Sequence, residues 1–145
     1  MKHPQTLAKN LNMMFPNPDL KIIADNACCV FVLMWVLGIE QEDIDSIRTV
    51  QNMRINKAIM KDCTVTWSDA ISYLTGRTLK ELKKTDITTI KNIKKRTIVL
   101  YAKEGNAKGV GHCVGVEKGK IAFNPLEYSV NVAEGRPVEM RELIF

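Results

Sequence analysis

The stretch from residue 27 to residue 39 constrains the fold more than any other, because every residue in it except Gly38 is apolar. It is shorter than the roughly 20 residues a bilayer-spanning helix needs. A helix over residues 28–37 would be apolar on every side, so it has no face to present to water and has to lie at the centre of a folded domain. Asp25 or Asn26 is placed to cap its start, and Gly38 to stop it. A chain of 145 residues, 46% hydrophobic and 26% charged, can surround such a helix with a proper core. With no internal repeat and no long linker, one domain over residues 1–145 is expected.

The flanking sequence suggests what surrounds it. Residues 6–14 read as a short amphipathic helix through Leu7, Leu11 and Met14, stopped by Phe15-Pro16-Asn17-Pro18, after which a loop leads to Asp25. Behind Glu42 and Asp43, the spacing of Ile44, Ile47, Val50 and Met53 predicts a helix, broken or continued through Ile55, Ile59 and Met60. Thr66-Trp67-Ser68-Asp69 resembles a capping box with Asp in place of Glu, followed by the stripe Trp67, Ala70, Ile71 and Leu74 and by Gly76. From Arg96 the pattern turns to β: residues 97–102, 110–116 and 120–123, and a last strand over 138–145. Helices first and antiparallel strands last make an α+β fold, with a buried Cys-bearing helix packed on a C-terminal antiparallel sheet.

Charge and cysteines narrow the function. The net charge of +5 comes from residues 80–96, where seven Lys or Arg face only Glu81 and Asp86. That stretch has no aromatic residue to stack on a base and no Gly-rich phosphate loop, and Thr85, Thr88 and Thr89 space its charges as on a solvated surface, so nucleic acid is not the expected partner. The N-terminus lacks the apolar segment of a secretory signal, which predicts a cytoplasmic protein without membrane attachment, and four free thiols: Cys28, Cys29, Cys63 and Cys113. No C-x-x-C pair exists and adjacent Cys28 and Cys29 diverge on a helix, so neither a metal nor a cofactor is expected. Phe31, Met34, Trp35 and Trp67 read as core.

The chemistry-bearing residues are few. Cys28 falls in the first turn of the buried helix, where unpaired N–H groups and the positive end of the helix dipole stabilise a thiolate and can face a developing oxyanion. Cys29 is rotated from it by about 100°, so only one of the two can face a given cleft. His112 is the one histidine away from the N-terminus. If Glu117-Lys118-Gly119 is a three-residue hairpin loop, Val116 faces Lys120 and His112 faces Asn124, whose amide oxygen could hold one imidazole nitrogen while the other serves the thiol. A two-residue Lys118-Gly119 loop would instead oppose Cys113 to Asn124 and turn His112 to the other face.

A Cys that opens a buried apolar helix, followed much later by a Gly111-His112 strand and a hairpin ending in Asn124-Pro125, resembles the papain-like cysteine peptidase superfamily. The likeness is to its small bacterial branch that includes the bacteriocin-processing peptidase domains, and to bacterial or phage members with an Asn-Gly-Cys helix start, here Asn26-Ala27-Cys28. The resemblance implies a papain-like fold and a thiol hydrolase acting on an amide or thioester of a peptide or protein substrate. It also implies roles: Cys28 as nucleophile, His112 as general base and acid, Asn124 as orienter. The Gln that such peptidases place several residues before the nucleophile has no counterpart, since Lys21, Asp25 and Asn26 stand there. The alternative expectation is an inactive papain-like module that binds a peptide or a nucleic acid.

Overall fold

A computed structural model describes all residues, Met1–Phe145. Five helices come first: α1 (Pro4–Met14), α2 (Pro18–Asn26), α3 (Cys28–Val36), α4 (Asp43–Ile55) and α5 (Trp67–Thr75). The strands follow as β1 (Glu81–Asp86), β2 (Thr97–Ala102), β3 (His112–Glu117), β4 (Lys120–Phe123) and β5 (Arg136–Ile144), with a short α6 (Val130–Ala133) before the last. All pairings are antiparallel and the sheet order is β1-β5-β2-β3-β4, so the C-terminal strand is inserted between β1 and β2. This is the expected α+β order.

Helix α3 lies at the centre, as its all-apolar sequence requires: Val30, Phe31, Val32, Leu33 and Met34 have no exposed surface. One side packs on β2 and β3, and α1 and α4 cover others. The contact with the sheet is made by Trp35 lying against Gly115, where an added Cβ would stand 2.5 Å from the indole. Trp35 also stacks on Phe123 with ring centroids 5.9 Å apart, while Arg96 sits over its ring and donates to its carbonyl at 2.7 Å. On the sheet's other face Val99, Tyr101, Val114 and Val116 form a second apolar cluster with Ile93. Strand β2 is therefore buried on both faces, which is why Thr97–Ala102 shows no polar alternation.

Several local expectations give way to better partners. The loop expected after Pro18 is helix α2: Pro18 occupies the first helical turn, and Asn17 Oδ1 accepts the N–H groups of Asp19 and Leu20 at 2.9 and 3.2 Å. Neither Asp25 nor Asn26 caps α3, because both are spent as the last residues of α2, and Ala27 takes the cap position without a side-chain bond. The Thr66 hydroxyl donates to the Ala58 carbonyl at 2.7 Å and leaves α5 uncapped. Strand β1 was hidden in the basic stretch because it is an edge strand, mostly exposed along its length, so no apolar periodicity marks it. Met14 and Ile44 are exposed, not core. No helix is long and apolar enough to cross a membrane.

Because no side chain fits between Trp35 and β3, Gly115→Ala should lower stability by about 1–3 kcal/mol, read as a drop in the thermal melt. An unchanged melting temperature would show that the helix and sheet can part at this point without cost.

Candidate functional site

Helices α2 and α3 are separated by the single residue Ala27, fully buried and held by its N–H on the Ile23 carbonyl at 3.1 Å. The break places Cys28 at the head of α3 with no side chain competing for the first-turn N–H groups. Its thiol opens on a cleft of about 380 Å³ that is also lined by Asn26, Cys29, Cys63, Cys113 and Arg141. His112, the first residue of β3, is buried at 4% exposure, and its ring and charge act on the Cys28 thiol. Its Nε2 lies 2.7 Å from Asn124 Oδ1.

The structure brings Cys28, His112 and Asn124 together, by a route that differs from the three-residue loop. The hairpin turns on Lys118 and Gly119 alone, both at positive φ (54° and 73°), with Glu117 opposite Lys120 and Val116 opposite Ile121. By itself this register would turn His112 away from Asn124. A β-bulge next to Val116 then advances β4 by one residue, so that Gly115 pairs with Phe123. Continuing that register, Val114 comes level with Asn124, and His112, two residues from Val114, returns to the same side as the amide. The two are neighbours along one face and are not directly opposed.

Hydrogen bonding assigns the imidazole tautomer. Asn124 Oδ1 also accepts the Leu126 N–H at 3.2 Å, which identifies that atom as the oxygen. His112 Nε2 must then carry the proton it donates, leaving Nδ1 for Cys28. The Asn124 turn is itself pinned by the start of the chain. His3 Nδ1 donates to the Asn124 carbonyl at 2.8 Å, the N–H groups of Gln5 and Thr6 reach the Pro125 carbonyl at 3.0 and 3.3 Å, and Thr6 Oγ1 accepts the Glu127 N–H at 2.8 Å.

The electrostatics favour a separated proton pair. A hydrogen bond from the Cys113 thiol, together with the hydrogen bond and positive charge of His112, holds the Cys28 thiol well below the usual thiol range against the opposing effect of burial. Burial disfavours the imidazolium of His112, but the hydrogen bond and charge of Cys28 and the Asn124 amide outweigh it and raise its pKa. Cys113 moves well up because ionising it would forfeit its hydrogen bonds to Cys28 and Cys29, with burial adding to the rise. Burial pushes Cys63 up to about 11. Of the three thiols that shift, Cys28 alone moves toward the thiolate.

Cys113 and Arg141 were missed as site residues. Cys113 carried a signal, standing next to His112 on a strand that meets the Cys28 helix. Arg141 carried none: it is placed by the crossing of β5 into the sheet, where its Nε donates to Glu139 at 2.8 Å and its Nη1 lies 3.5 Å from Cys29 Sγ. The buried Gln5 does not enter the cleft, since its Nε2 donates to the Ala24 carbonyl at 2.8 Å and braces α2. No three His, Cys, Asp or Glu side chains converge as a metal-binding group. Compared with known proteins, the chain matches no family model, no curated protein and no solved structure.

Iodoacetamide at pH ~6 should alkylate Cys28 and spare Cys63 and Cys113, since an ordinary thiol of pKa ~8.5 is almost wholly protonated there. Equal labelling of Cys28, Cys63 and Cys113 would contradict the assignment. Asn124→Ala removes the acceptor that helps raise the His112 pKa and should cost about 1–3 kcal/mol in stability. The imidazolium contributes most below the ordinary histidine pKa and is lost as pH rises through the raised one. The mutant should therefore lose its thiolate–imidazolium pair at a lower pH than wild type, as read from the histidine ring protons by NMR; an unmoved titration would detach Asn124 from His112.

Proposed function

We propose that the protein is a papain-like thiol hydrolase that cleaves an amide or thioester of a peptide or protein substrate, working in the cytoplasm and needing no metal or cofactor. The observation that carries this reading is the hydrogen bond of 2.7 Å between His112 Nε2 and Asn124 Oδ1, beside a Cys28 thiol that Cys113 and the same histidine hold below the usual range. In the reaction the Cys28 thiolate attacks the substrate carbonyl carbon, and the charge that develops on its oxygen is met by first-turn N–H groups of α3. His112 Nδ1 then gives its proton to the leaving amine or thiol and, as a base, takes one from the water that hydrolyses the acyl-enzyme. Asn124 keeps the ring from turning. The upstream Gln of the resembled family is lacking, and Asn26, two residues before Cys28 and on the cleft wall, offers the side-chain amide in its place.

The lack of that Gln is also what favours a second reading, an inactive papain-like module that binds a peptide in the same cleft. A hydrolysis panel of peptides and thioesters, with thermal melts, separates the two. The hydrolase reading predicts that wild type cleaves at least one substrate and that Cys28→Ser abolishes cleavage with little change in melting temperature, because the serine hydroxyl keeps partners in Cys113 and His112. Asn26→Ala should lower kcat by about a hundredfold or more while KM changes little, as for the loss of one oxyanion donor. A wild type inactive on the whole panel would favour the binding module. Cleavage surviving in Cys28→Ser would rule out Cys28 as nucleophile and point to Cys29.

A further inference from the structure

Three further thiols make or break no bond in the proposed hydrolysis, yet all of them line the cleft onto which Cys28 opens. They are not equivalent. Cys29 follows Cys28 in the same helix and diverges from it by about 100°, so the two sulfurs cannot meet without unwinding the first turn of α3. Cys63 is 2% exposed at a left-handed backbone position, φ 69°, in the segment between α4 and α5 and outside the α3–β3 contact. Cys113 differs from both. It lies at 3% exposure on β3, the strand against which α3 packs, two residues before the Gly115 that meets Trp35 of that helix and so on the same helix-facing side, and it lines the cleft together with Cys28.

From this juxtaposition we propose that Cys28 is a site of reversible oxidation and that Cys113 is its resolving thiol, the two closing a disulfide that masks the nucleophile. The oxidant is a peroxide. The Cys28 thiolate attacks one peroxide oxygen, the O–O bond breaks, and hydroxide leaves and takes up a proton as water, so the sulfur is oxidised to a sulfenic acid. The Cys113 thiol then gives up its proton, which His112 can relay to the sulfenic hydroxyl. Its sulfur attacks the Cys28 sulfur, the S–O bond breaks and a second water departs. Two thiols and one hydrogen peroxide become one disulfide and two waters, and an external dithiol reverses the change. Without Cys113 the sulfenic acid would be open to further, irreversible oxidation. That this inactivates an enzyme rests on the hydrolase reading, but formation of the disulfide does not.

The test treats the reduced full-length protein with a slight excess of hydrogen peroxide, reads intact mass, and maps the linkage by peptide fragmentation that separates Cys28 from Cys29. Wild type should lose two hydrogens, yield a Cys28–Cys113 link, and recover its mass and its iodoacetamide labelling after dithiothreitol. Cys113→Ala should instead gain one oxygen that dimedone traps, and then two or three oxygens that dithiothreitol does not remove. If that variant melts too low to use, Cys29→Ala and Cys63→Ala serve, since both should still form the Cys28–Cys113 link. Oxygen addition to wild type without a disulfide, or a disulfide joining any other pair, would overturn the proposal. Because mass is the readout, a chain that hydrolyses nothing still gives an unambiguous answer, and failure of the disulfide leaves the hydrolase reading standing.

Discussion

The close approach of α3 to β3 is the contact on which the rest of the molecule depends. Trp35 can lie on the sheet only because Gly115 has no side chain, and Phe123 and Arg96 hold the indole from the flanks. A rigid helix seated at its C-terminal end transmits that placement along its axis, so its N-terminal residue, Cys28, arrives beside the first residues of the same strand. His112 and Cys113 are those residues. Helix seating and thiol chemistry are therefore one problem in packing: whatever moves α3 away from β3 also pulls Cys28 from the imidazole that ionises it.

A second constraint acts from the opposite side. His112 is oriented by Asn124, which follows the end of a short edge strand and would be poorly fixed by the sheet alone. The start of α1 supplies what the sheet lacks, since backbone groups of Gln5 and Thr6, the Thr6 hydroxyl and the His3 ring all bond the segment from Asn124 to Glu127. The chain's first helix thereby closes over a turn more than a hundred residues later in sequence. The cleft sits where these two sets of contacts meet.

How much of this was legible in the sequence follows from which forces are local. The all-apolar helix, the helices at α4 and α5 and strands β2 to β5 announce themselves through burial patterns that survive in one dimension. The pairing of Cys28 with His112 and Asn124 was readable because each stands at the end of a strongly patterned element. The hairpin register was not. The turn type is local and the sequence allowed two, but the bulge beside Val116 that restores His112 to the side of Asn124 has no local signal; it accompanies the long-range stacking of Phe123 on Trp35. Strand β1 and helix α2 were missed for opposite reasons: β1 is an exposed edge without periodicity, and α2 is nine residues long and starts on a Pro that also ends the segment before it. The part of Arg141 is a consequence of β5 crossing into the middle of the sheet, which no local pattern encodes.

All of the chemistry argued above rests on Cys28 being ionised by its neighbours at neutral pH. The direct measurement is a pH titration of the thiolate's ultraviolet absorbance, taken as the difference between wild type and Cys28→Ser and repeated on His112→Ala. The account predicts one thiolate in wild type at pH ~7, where an unperturbed thiol is largely protonated, absent in Cys28→Ser and titrating at higher pH without the imidazole. A wild type whose thiols all ionise in or above the ordinary range would contradict it.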